Sequence, residues 1–139
     1  MRALREATVG DPALVRSAEG APAFWLVPFE SGDRACGFAR VELSGRVAQV
    51  GTFGAGADDR AGWPPAEFFR RPPARVLEEV RARHPGVPLA APVLSYDGSP
   101  AKWAWRVCIG SPAAMVAYVT PGGWYEKAAA HGARSDCEG

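Results

Sequence analysis

Residues 74–109 read ARVLEEVRARHPGVPLAAPVLSYDGSPAKWAWRVCI, and the change of period inside this stretch decides the fold class. Its opening part sets Val76, Leu77 and Val80 on one helical stripe, with Arg75, Glu78, Glu79 and Arg83 largely elsewhere. Pro72 and Pro73 lead into this segment, and His84, Pro85 and Gly86 stop it, so the spacing predicts a helix over 74–84. Glu79 and Arg83 add an i,i+4 pair worth a few tenths of a kcal/mol. From residue 102 the period falls to two. Trp103, Trp105, Val107 and Ile109 then share one face of a strand, and Lys102, Ala104, Arg106 and Cys108 share the other. The first set is expected to pack on the helix.

Outward from this stretch the pattern is strand and turn. Segment 88–96 precedes the Asp97-Gly98 turn, a strand is expected over 114–120, and Gly122 and Gly123 turn the chain into a short last strand at 124–127. Toward the N-terminus, 24–29 (FWLVPF) is rich in strand formers and 30–34 carries turn chemistry. Segment 36–43 alternates, with Ala39, Val41 and Leu43 on the expected buried side. Ser44 and Gly45 turn it into 46–53, which completes a three-stranded meander. Asp11, Pro12 and Gly20 carry the cap, first-turn and stop signals of a short helix over 11–20.

The reading is an α+β fold: an antiparallel sheet of about six strands in two meanders, with the helix at about 74–84 packed on one face. Its expected core is Trp25, Val27, Val41, Leu43, Leu77, Val80, Trp103, Trp105 and Val107. The 139 residues suit one domain built of two similar halves, about 11–53 and 74–127, joined by the Gly/Pro/aromatic segment 54–73. Each half shows an apolar strand bearing Trp25 or Trp105, a second strand, a glycine turn and a third strand. The first half lacks a counterpart of 88–96.

Sixteen basic residues face fifteen acidic ones, a net charge of +1, which gives no long-range field for nucleic acid or an anionic membrane. The start of the chain is charged and has no apolar run behind it, so neither a leader nor a membrane span is expected; a cytoplasmic location is the default, and an extracytoplasmic one the alternative if a leader was removed. Cys36, Cys108 and Cys137 are odd in number and widely spaced. Reduced thiols are the plain expectation, with a Cys36–Cys108 bridge as the alternative.

No chemical constellation emerges. A thiol nucleophile would draw on Cys36 or Cys108, on His84 or His131, and on Asp97 or Asp136, but no spacing favours their meeting. Glu78 and Glu79 point apart on a helix, and Asp58 and Asp59 lack the further oxygen ligands of a cation loop. The glycines of 51–56 match neither phosphate-binding pattern. No catalytic residue, metal or cofactor is therefore expected. Phe68, Phe69, Arg70 and Arg71 read as two buried rings and two solvated charges rather than a nucleic-acid platform. The 54–73 segment is long for a connection yet carries Trp63, Phe68 and Phe69. These rings either fold back onto the core or line an apolar pocket with Arg106 as its polar contact.

The helix followed by Pro85-Gly86 and a meander carrying Trp-x-Trp-x-Val at 103–107 resembles the PepSY-type modules of peptidase propeptides. The similarity covers about residues 74–127, and the first half more faintly. It implies a non-enzymatic module that binds or inhibits another protein. The other readings are a small-molecule-binding protein, enzymatic or not, with the 54–73 pocket, and a structural protein that self-associates as a dimer; a monomer or homodimer is expected across the three.

Overall fold

The computed structural model describes residues 6–53 and 62–129. The chain divides into two compact units. One comprises Met1–Leu14 with Ala23–Arg71, and the other Val15–Pro22 with Pro72–Gly139.

The N-terminal unit is built on the expected meander. Strands β3 (Pro22–Ser31), β4 (Arg34–Glu42) and β5 (Val47–Thr52) follow one another antiparallel, turning at Gly32 (φ 65°) and Gly45 (φ 97°). Only glycine adopts such positive φ without strain, which is why these two turns are legible. Strand β1 (Thr8–Val9) pairs with β3, so the sheet runs β1-β3-β4-β5, and β2 (Ala13–Arg16) joins β3 off this path. Segment 11–20 thus contains a strand where a helix was expected. A helix so short gains too few hydrogen bonds to offset nucleation, whereas Val15 is fully buried as a strand residue. Ahead of the half assigned to 11–53, β1 adds a strand beside β3, at the outer end of its meander.

In β3 the buried residues are Phe24, Leu26 and Pro28, while Trp25 and Val27 are half-buried. The expected core inverts here. A continuous apolar run has no alternation to say which face turns inward. Across the strands, Trp25 pairs with Val41 and Val27 with Ala39. A bulge between Arg40 and Val41 then sets Val41 opposite Val47 and Ala39 opposite Val50. Val47 and Val50, three apart, would face opposite sides of a regular strand; the bulge brings both to the face of Trp25 and Val27. Val41 on this face is half-buried, and Leu43 beyond it is 53% exposed, so neither belongs to the closed core.

Segment 62–69 returns to this sheet. The N–H of Ala35 donates to Pro64 O and that of Ala66 to Asp33 O, while Arg34 Nη1 donates to Trp63 O at 2.8 Å. A one-turn 3-10 helix, Ala66–Phe69, then buries Phe68 and Phe69. Phe69 lies 6.3 Å from Phe53, which lies 5.5 Å from Phe38, and Phe68 meets Phe69 edge-on at 6.0 Å.

The C-terminal unit is the second meander. Strands β6 (Val93–Tyr96), β7 (Trp103–Gly110), β8 (Ala113–Thr120) and β9 (Gly123–Ala128) form a four-stranded antiparallel sheet in chain order. Helix α1 (Ala74–Arg83) matches its expected span. Trp105, Val119 and Trp124 align across the sheet, as do Val107, Ala117 and Glu126. On that face Trp124 Nε1 donates to Glu79 Oε2 at 2.9 Å, His84 Nε2 meets Glu126 Oε1 at 2.7 Å, and the Arg83 guanidinium stacks 4.9 Å over the Trp124 ring. The helix therefore packs where the alternation of 102–109 placed it. Val76 and Val80 are buried there, and Leu77 is half-buried on the flank.

Among the described residues nine strands thus form two mostly antiparallel sheets of five and four, not one sheet of about six. Each meander ends in its own edge strands. Cys108 is disulfide-bonded, and Cys36 is a buried thiol outside any disulfide. Both the fully reduced expectation and the Cys36–Cys108 alternative are overturned. No helix among the described residues is long and apolar enough to cross a membrane.

Candidate functional site

The face of the C-terminal sheet opposite α1 is polar. The register sets Arg106 opposite Tyr118 and Tyr118 opposite Tyr125, so these three side chains cross the sheet in one row. Side chains directly opposite in an antiparallel pair share a face and lie within about 5 Å at their Cβ atoms. The two tyrosine rings stack at 5.5 Å with 29° between their planes. Asp97, just past β6, receives the Tyr125 hydroxyl at 2.7 Å and Lys127 Nζ at 2.8 Å. Because Tyr125 and Lys127 belong to β9, these bonds join the two outer strands across the face of the inner two.

The remainder of this face is met by backbone of the same unit. Ser95, fully buried, donates its hydroxyl to Arg16 O at 2.7 Å. Arg106, 5% exposed, donates Nη1 to Ala18 O at 3.3 Å.

The charges here are coupled. Burial by itself would raise the Asp97 pKa, but hydrogen bonds from Lys127 and Tyr125 and the charges of Lys127 and Lys102 outweigh it and hold the carboxyl below its ordinary value. Tyr125 is pushed strongly upward, first by burial and then by its bond to the Asp97 carboxylate. Lys127 is raised, chiefly by its hydrogen bond to Asp97. A carboxyl whose folded pKa lies below its unfolded value adds stability that is complete above about pH 4 and is lost as pH falls through the folded value. The raised Lys127 and Tyr125 add stability that is complete below about pH 10 and is lost as pH climbs further. The melting temperature of Asp97→Asn should therefore vary less with pH at both extremes than that of the wild-type chain. Equal profiles in thermal melts from pH 2 to 11 would show that this cluster carries no linkage.

Of the residues singled out in the sequence, Trp63, Phe68 and Phe69 fall in the N-terminal unit and Arg106 in the C-terminal one. The three rings are each 3% exposed and serve as packing: Phe68 and Phe69 touch each other, and Trp63 shares a buried cluster with Cys36, flanked by Ala7, Phe29 and Phe53. The Trp63 indole N–H is enclosed without an acceptor. Cys36 and His84 fall in different units, and His131, Asp136 and the Asp58-Asp59 pair lie outside the described residues. The Cys36 thiol donates to Phe29 O at 3.4 Å, and burial raises its pKa, which disfavours the thiolate a nucleophile needs. Among the described residues no three His, Cys, Asp or Glu side chains gather as a metal site would require.

Tyr118, Tyr125 and Lys127 were not anticipated, although a signal existed. Thr120 pairs with Gly123 across the glycine turn, and counting back two residues on each side aligns Tyr118 with Tyr125. Asp97, weighed in the sequence only as a possible member of a thiol triad, gains its role by contacts 28 and 30 residues away.

A second surface belongs to the N-terminal unit. Strand β5 ends its sheet and contains neither a charged residue nor proline. Val47 and Val50 on it are 58% and 56% exposed.

No family model matches the chain, and no curated protein or solved structure matches it either.

Proposed function

We propose that the chain is a non-catalytic protein-binding module, of the kind the PepSY-type resemblance implies, and that its partner docks on β5. One observation carries this reading: an exposed, uncharged, proline-free strand at the end of a sheet, with two valines turned to water. Edge strands are ordinarily blunted by charge, proline or cover, because their unpaired N–H and C=O groups template another strand. The bulge in β5 turns Val47 and Val50 to one face, beside half-buried Trp25 and Val41. An added extended segment would gain main-chain hydrogen bonds from the edge and an apolar contact from that face.

The test is capture from a lysate of the source cell by the wild-type chain and by a Val47→Lys/Val50→Lys variant. Both sites are solvent-exposed, so the variant should keep its stability to within about 1 kcal/mol. A partner retained by the wild type and lost by the variant is the expected result. Equal retention by both overturns docking at β5. Sedimentation velocity on the same two proteins covers the self-associating reading, for which the wild type dimerises at micromolar concentration and the variant does not.

A further inference from the structure

We propose that Arg106 and Tyr118 form a binding site for a carboxylate on the polar face of the C-terminal sheet. Arg106 is 5% exposed and, among the described residues, makes a single hydrogen bond, to Ala18 O. The other N–H donors of its fork find no acceptor, and no carboxylate forms an ion pair with it, among the described residues. A buried guanidinium is costly unless a counter-charge meets it, and none is supplied by the described chain. These donors are not sealed, since Trp63 Nε1 is the side-chain polar atom found fully enclosed without a partner among the described residues. They keep a narrow contact with solvent through the 5% of Arg106 that is exposed.

Tyr118 stands directly opposite Arg106, is half-buried, and makes no hydrogen bond among the described residues. Its ring is fixed against Tyr125, whose own hydroxyl is held by Asp97. A guanidinium fork and a free hydroxyl on adjacent strands together present the donors that a planar carboxylate accepts. The same surroundings disfavour a doubly charged anion. The Tyr118 hydroxyl is raised in pKa by burial first and by the Asp97 charge second, so a fixed negative charge already acts there. The carboxylate can come from a small acid or from the C-terminus of a peptide. This inference is independent of β5, which lies in the other unit.

The experiment is a titration of the full chain, followed by the Arg106 Nε–H resonance in nitrogen-edited NMR. Three probes are used: acetate, the tripeptide Gly-Gly-Ala with a free carboxylate, and the same tripeptide as its C-terminal amide. Saturable shifts with acetate or with the free tripeptide, and none with the amide, are expected, and the tighter of the two acids identifies the source. Absence of any shift up to about 10 mM, or an equal shift with the amide, overturns the proposal. Tyr118→Phe removes one oxygen at a half-buried position and should weaken binding about five- to tenfold, and unchanged affinity in that variant also overturns it. Arg106→Gln should abolish the response of the backbone amides of β7 and β8.

Discussion

Phe69→Ala is expected to destabilise the N-terminal unit by about 3–5 kcal/mol, the range for removing a buried aromatic ring. Phe69 is 3% exposed and lies against Phe53 and Phe68, and Phe53 in turn contacts Phe38 of β4. Its loss opens a hole in that chain of rings, and the neighbours are themselves too large to close it. The contrast is Val50→Ala on β5, where 56% exposure limits the change to about 0.5 kcal/mol. Urea denaturation followed by tryptophan fluorescence measures both. A Phe69→Ala midpoint equal to that of the wild type would mean that 62–69 contributes no core.

Val80→Asp is expected to abolish cooperative unfolding of the C-terminal unit at neutral pH. Val80 is fully buried on the sheet-facing stripe of α1, where an ionised carboxylate would lose its hydration. The penalty should ease on acidification, because the neutral acid is cheaper to bury. Leu77→Ala provides the phase test. A fully buried leucine would cost about 2–5 kcal/mol, but half-buried Leu77 should lose clearly less. If Leu77→Ala proves the more damaging of the two in thermal melts, the helix is rotated from the orientation described.

The two units were unequally readable. In the C-terminal unit, the 3.6-residue stripe of Val76, Leu77 and Val80 and the strict alternation of Trp103, Trp105 and Val107 each specify a face; all of these are buried except Leu77, expected in the core but only half-buried. Arg106, a charge inside an otherwise apolar strand, stood out for the same reason. In the N-terminal unit the signals were ambiguous. FWLVPF reads equally well in either phase, and a bulge, which no periodicity announces, decides where Val47 and Val50 point. Capping residues at Asp11 and Pro12 suggested a helix, yet the segment between them and Gly20 has too little apolar surface to hold one. The Asp97 cluster was hidden for a different reason. Its bonds connect residues 28 and 30 apart in the chain, at the two ends of the sheet, and no local pattern marks them as neighbours.

The assignment of Val15–Pro22 to the C-terminal unit has a consequence for genetic dissection of this protein. Neither unit is encoded by an uninterrupted stretch, so a protease that nicks only after Arg71 leaves two fragments still interlocked through an early octet of residues. A gene fragment starting at Pro72 would leave Ser95 and Arg106 without the carbonyl acceptors that Arg16 and Ala18 supply. Rescue of such a fragment by a synthetic peptide spanning 15–22 would show how far the later half of the chain depends on residues translated long before it.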